Sequence, residues 1–251
     1  MEDERLPLTS HLEELRWRII KCLAAVAVGF GLSYAFAADI FSFLVRPFNA
    51  VKPAGSQLIF TSLPEAFVTN LRIAFFSGLG LALPVIFYQL WRFVTPGLYE
   101  RERRYVLPFV LVSTLFFLSG AAFAFYVVFP FAFRFFLNVA GTSATAMLTL
   151  KDYLSLVIQL LVAFGLTFEL PVIMYFLAKL GVVNYSMLAR SRKYALLVIV
   201  TVAAVLTPPD VISQILLSIP LLALYELSIW VTYVNEKKRK AEKIATSAKA
   251  E

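Results

Sequence analysis

The stretch ALLVIVTVAAVLTPPDVISQILLSIPLLALYELSIWVTYV, residues 195–234, is two apolar runs divided by Thr207-Pro208-Pro209-Asp210. Proline cannot donate to a helical ladder and aspartate is a preferred capping residue, so the reading is a sharp turn between two antiparallel helices, with Asp210 capping the second. Gln214 follows one turn later. Helices apolar on every face need a covering other than water, and a bilayer supplies it. The first run, 195–206, has only 12 residues. As a helix it rises about 18 Å against a hydrocarbon core of about 30 Å, so it has to recruit flanking residues or sit where the membrane is thin. The second run, 211–234, is interrupted by Glu226. Both are expected to be short spans.

Working outward, four more apolar runs precede this hairpin, at 20–38, 66–88, 106–129 and 153–177. The chain of 251 residues is 60% hydrophobic, holds 24 phenylalanines and has a mean hydropathy of +0.79. Such a composition excludes a soluble domain of this length. The expected fold is an all-α integral membrane protein with six transmembrane helices. Of its 23 Lys and Arg, 18 fall in the N-terminal segment, in 91–105, in 178–194 and beyond 234. All four regions lie on one side of a six-span layout, so the positive-inside rule places both termini in the cytoplasm. One membrane domain, 1–234, opened by an amphipathic N-terminal segment, is then followed by a basic cytoplasmic tail, 235–251, either solvated or touching anionic head groups. The net charge of +7 belongs to those loops and not to a nucleic-acid surface. The start, MEDERLPLTSHLEELRWR, lacks a basic n-region before a short apolar core, so no cleaved targeting segment is read there.

One cysteine, Cys22, and one histidine, His11, leave no usual His/Cys metal pattern and no disulfide within one chain. There is no phosphate-cradling Gly-Lys loop, no internal repeat and no triad, so neither a cofactor nor catalysis is expected. The loops DIFSFLVRPFNAVKPAG and FPFAFRFFLNVAG are rich in aromatics, which suits segments lying along a membrane interface. Ser62-Leu63-Pro64-Glu65 has capping-box spacing with proline in the first turn, and should open the second helix.

The acidic residues sort by their neighbours. In FVTPGLYERERR, residues 93–104, Glu100 has Arg103 and Arg104 three and four positions ahead, a favourable helical spacing. Glu102 has Tyr105 and Val106 ahead and Leu98 and Tyr99 behind, so it is either a solvated carboxylate beside a helix start or open to a ligand. In SHLEELRWR, Ser10 and Glu13 have capping-box spacing, while Glu14 faces Arg18 at i+4 in a surface pair that a better cation could displace. Glu169, in FGLTFELPVIM, stands about 24 Å along a helix from Tyr153 and about 15 Å from Lys179, which is mid-membrane. Pro171 removes the bond to the Thr167 carbonyl and loosens the helix there. Glu169 is either a protonated acid bonded to a neighbouring helix or a working group, with Arg72 as a candidate partner. Pro84 and Pro220 read as kinks.

HLEELRWR (11–18), TPGLYERERR (95–104), FGLTFELP (164–171) and LTPPDVISQ (206–214), in that order over nearly the whole chain, resemble the TatC family, the C subunit of the twin-arginine protein translocase. The resemblance implies a receptor and core subunit in the cytoplasmic (inner) membrane of a prokaryote, which recognises twin-arginine signal peptides of folded cargo while the proton-motive force drives export. It also implies single-span TatA- and TatB-type subunits and self-association. On that reading Glu14 and Glu102 contact the paired arginines, Phe93 and Leu98 pack the apolar part of the signal, and Arg16 orders the N-terminal segment. Glu169 and Gln214 form an intramembrane polar site, and Pro208, Pro209 and Asp210 a structural turn. A carboxylate takes a planar guanidinium in a bidentate geometry that an ammonium cannot copy, so two separated carboxylates favour two arginines. The hydrophobic mismatch of the fifth helix makes its edge with the sixth the expected dock for single-span partners. A proton-coupled small-molecule carrier using Glu169 is the alternative.

Overall fold

The computed structural model describes residues 8–52, 56–94, 106–140, 147–206 and 211–247. The chain runs α1 (Leu8–Ala35), α2 (Ala37–Leu44), α3 (Arg46–Val51), strand β1 (Gln57–Ile59), α4 (Leu63–Val94), α5 (Val106–Phe123), a π-helical turn (Ala124–Val128) and α6 (Phe129–Ala140). Strand β2 (Met147–Thr149), α7 (Leu150–Phe168), α8 (Leu170–Lys179), α9 (Tyr185–Arg190), α10 (Arg192–Leu206) and α11 (Val211–Ser247) follow. Among the described residues, five stretches are long and apolar enough to cross a bilayer: Leu12–Ala35, Leu63–Phe93, Val106–Phe135, Leu150–Lys179 and Leu217–Lys237. The protein is a multi-pass, mostly helical membrane protein. α10 has 15 residues, hence a rise of about 22 Å, and is short as its sequence requires.

Packing divides the chain into two units, residues 1–115 with 143–155 and residues 116–142 with 156–251. In the first, α1 lies against α4 at a crossing where no side chain fits. A Cβ built on Gly29 would lie 2.4 Å from the Gly78 carbonyl oxygen, and one on Gly78 would lie 2.4 Å from the Phe30 nitrogen. In lipid, where chain burial drives little association, such close backbone approach supplies the van der Waals contact that holds helices together.

β1 pairs in parallel with β2, Leu58 opposite Leu148, and Glu65 ties the pairing down. Ser62 directly precedes α4 and Pro64 lies in its first turn, as the capping-box spacing requires. The Glu65 carboxylate reaches one residue further back than the standard box. Its Oε2 accepts from the Thr61 backbone N–H (2.6 Å) and hydroxyl (3.0 Å), and its Oε1 accepts from the Lys151 N–H at the start of α7 (3.0 Å). Both oxygens face donors. Glu65→Gln is therefore expected to destabilise the protein in detergent nearly as much as Glu65→Ala, because the amide NH2 would confront an N–H. Thermal unfolding of both variants checks this, and a Gln variant melting with the wild type would refute the clasp.

The aromatic loop after α1 folds into α2 and α3. Phe48 and Tyr153 meet edge to face at 5.7 Å, and the buried Tyr153 hydroxyl donates to the Leu44 carbonyl (2.7 Å). The second such loop does not lie apart from its span. FPFAFRFF continues the third apolar stretch to Phe135, because the π-helical turn passes directly into α6 through Phe129, whose N–H donates to the Ala124 carbonyl.

In the second unit, the end of α5 packs on α7. Gly120 abuts the Phe164 carbonyl, where a Cβ would lie 2.6 Å away, and Phe123 contacts the rings of Phe164 and Phe168 at 5.7 Å each. α9 is held to α11 by the Tyr225 hydroxyl donating to the Leu188 carbonyl (2.9 Å) and the Tyr185 N–H donating to Glu236 (3.1 Å).

Two helix-boundary expectations are corrected. Glu226 leaves the last helix whole: α11 runs for 37 residues, through Pro220 and Glu226 and past residue 234 to Ser247, with its apolar stretch at Leu217–Lys237. Glu226 does not interrupt it because the carboxylate accepts a two-pronged bond from Arg192, Nε to Oε1 at 2.7 Å and Nη2 to Oε2 at 3.0 Å. A paired carboxylate on a helix surface leaves the backbone ladder intact. α1 begins at Leu8, so Ser10 lies in its first turn and is not its N-cap. Pro84 lies inside α4.

Candidate functional site

α1 presents Glu14 and Arg18 on one face, four residues and about 40° of helix apart. Arg18 directs Nε (3.1 Å) and Nη2 to the Glu14 Oε1. It does not stop there. Nη1 donates to the Gln89 side-chain oxygen (3.4 Å) and Nη2 to the Arg92 carbonyl (3.2 Å), both on the last two turns of α4. The Arg92 carbonyl is among the four at a helix C-terminus that have no partner within the helix, and a cation there also meets the negative end of the helix dipole. Arg18 thus caps α4 while engaging Glu14. Arg92 itself donates to the Tyr88 hydroxyl (3.2 Å) and lies over its ring at 5.9 Å. Phe93, next along α4, is half-buried. The arrangement is a carboxylate lodged against a guanidinium at the C-terminal end of a helix.

Arg16 is exposed, two residues and about 200° around α1 from Glu14, so it lies off this face. Glu13 is also exposed. Leu98 and Glu102, with Glu100, lie outside the described residues, as do Pro208, Pro209 and Asp210.

Glu169 stands between α7 and α8, where the helix breaks. It takes up the position before α8, its N–H donates to the Leu166 carbonyl (3.1 Å), and Pro171 is buried in the first turn of α8. The loosening expected from Pro171 falls on Glu169 itself. At 4% exposure it is buried within the protein. Arg72 donates to the Ser155 hydroxyl (3.3 Å). Gln214 is half-buried and its amide donates to the Val200 carbonyl (3.0 Å), which joins α11 to α10. A second glutamine, Gln159, does the same from α7, donating to the Val205 carbonyl (3.2 Å) in the last turn of α10. Sequence reasoning passed over Gln159, although a lone amide in an apolar span was the available signal. Gln89 was missed for the same reason.

The family model described as Sec-independent protein translocase protein (TatC) matches residues 10–220. The chain belongs to the TatC family. Among relatives named Sec-independent protein translocase protein TatC, that of Desulforapulum autotrophicum is 45% identical over 96% of this chain and 89% of its own length. The Carboxydothermus hydrogenoformans relative is 42% identical over 97% and 100%, and the Escherichia coli K12 relative 39% identical over 96% and 94%. A crystal structure of the twin-arginine translocase receptor TatC superposes with a TM-score of 0.82 at 39% identity, covering 90% of this chain and 99% of the other. The TatC match spans both the Glu14–Arg18 face and the Glu169 break.

Proposed function

We propose that this chain is the receptor and core subunit of a twin-arginine translocase in the cytoplasmic membrane of a prokaryote. It crosses the bilayer six times, with α10 as the fifth span and both termini in the cytoplasm, and it acts by binding, not by catalysis. Its ligand is the twin-arginine signal peptide of a folded cargo, taken by Glu14 and Glu102, with Phe93 and Leu98 against the apolar part of the signal and Arg16 ordering the approach. The observation that carries this reading is the Glu14 carboxylate, which already holds a guanidinium at the end of α4. Photocross-linking a twin-arginine signal peptide and a twin-lysine control to probes in residues 93–104 tests it. Preferential labelling by the arginine form is expected, and equal labelling would refute the receptor.

Single-span partner subunits dock along residues 195–234, where the short α10 leaves a hydrophobic mismatch that a partner helix relieves, and the receptor self-associates. Glu169 acts after recognition, with Gln214 part of the same intramembrane polar function and Pro208, Pro209 and Asp210 holding the turn. A protonated carboxyl both donates and accepts hydrogen bonds, as an amide does. Export of a folded reporter should therefore survive in Glu169→Gln and fall in Glu169→Ala, while signal-peptide binding stays near normal in both. Equal loss of export in the two variants would mean that ionisation is essential.

A further inference from the structure

We propose that Arg18 is an affinity-setting residue of the recognition site: a resident guanidinium that occupies Glu14 until the ligand's arginine replaces it. The proposal rests on the receptor reading above. Its basis is geometric. Arg18 is more than a surface partner of Glu14, because its side chain is 12% exposed against 33% for Glu14, and because it holds contacts on a second helix, to Gln89 and to the Arg92 carbonyl. An isolated i,i+4 pair would strand its cation when the carboxylate is taken by something else. Arg18 keeps an amide oxygen and a helix-terminal carbonyl, so its charge stays solvated by the protein after it releases Glu14. Glu14 can accordingly be handed from one guanidinium to another with little change in the total of charge-assisted bonds.

A resident competitor lowers the apparent affinity of every ligand by the fraction of time it leaves the site open. The cost is the same for an arginine and a lysine ligand. It does not create the preference between them; that comes from the fork geometry of the guanidinium. It sets how strong a ligand must be to register at all.

The test is binding of labelled twin-arginine and twin-lysine signal peptides to the full chain in detergent, comparing wild type, Arg18→Lys and Arg18→Gln. Arg18→Gln should bind both peptides roughly twofold to fivefold more tightly with their ratio unchanged, and Arg18→Lys should fall between it and wild type. In a Glu14→Ala background the Arg18→Gln change should have no effect on binding, since nothing remains to uncover. A role limited to bracing α1 against α4 predicts the opposite sign, and weaker binding of both peptides would overturn the proposal. Unchanged binding in both variants would overturn it as well. Should Arg18→Gln fail to fold, Arg18→Lys carries the comparison. A wild type that selects twin arginine while the variants move the wrong way defeats this inference alone, whereas a wild type that binds neither peptide defeats the receptor reading with it.

Discussion

Gly78→Leu should unfold at markedly lower temperature in detergent than the parent protein, a loss of about 3 kcal/mol or more, at the upper end of what overpacking usually costs. The reason lies in what the new side chain meets. The nearest atoms to a Cβ at Gly78 are the backbone of Gly29 and Phe30, at 2.4 to 2.7 Å, and backbone cannot rotate aside as a side chain does. α1 and α4 would have to move apart along the crossing, losing the contact that holds them in lipid. Gly31 and Gly80 provide internal controls, since a Cβ at either has nothing within 4 Å. Gly31→Ala and Gly80→Ala should be neutral or gain up to about 1 kcal/mol, because alanine favours the helix. Signal-peptide binding should fall with Gly78→Leu too, since α1 carries Glu14 and Arg18 while α4 carries Gln89 and Arg92. A Gly78→Leu protein that melts with the parent would refute the described crossing.

Glu14→Ala should weaken twin-arginine signal-peptide binding roughly tenfold, the lower end of what a charge-assisted hydrogen bond contributes, because Glu14 remains partly exposed to solvent. Glu13→Ala should leave binding near the parent value, since Glu13 is exposed on a different face of α1. Glu102→Ala is expected to match Glu14→Ala, and Glu100→Ala to match Glu13→Ala. Titration of the four single variants decides the matter, with thermal unfolding confirming that each is folded. Equal losses across the four would show that the acidic residues contribute only a diffuse field and not a pair of sites.

What could be read in advance follows the range of the interactions. The spans were legible because a bilayer demands about 20 apolar residues in a row, and the short α10 followed from counting. Glu14 facing Arg18 was legible because i,i+4 contacts are local. Arg18 meeting Gln89 was not, because 71 residues separate them, and nothing in either segment points to the other. The Glu65 clasp on Lys151 spans 86 residues and was half seen, as a capping box without its distant donor. Glu226 reads in sequence only as a charge interrupting an apolar run for the same reason: its partner Arg192 is 34 residues away. The aromatic run from Phe129 was set apart as an interfacial segment because composition alone does not tell a membrane surface from a span that continues. The glycine crossing left no trace, since glycine in an apolar helix looks alike whether it faces lipid or another backbone.

α11 has a further consequence. At 37 residues it rises about 55 Å, and a bilayer core takes up about 30 Å of that. The excess stands outside the membrane as a rod. A flexible tether of the same 13 residues, 235–247, would wander over roughly 18–22 Å in any direction. As a helix, residues 235–247 instead advance about 20 Å along one fixed axis. α11 is therefore a measured strut beyond its apolar stretch, which sets how near a bulky partner can approach along it.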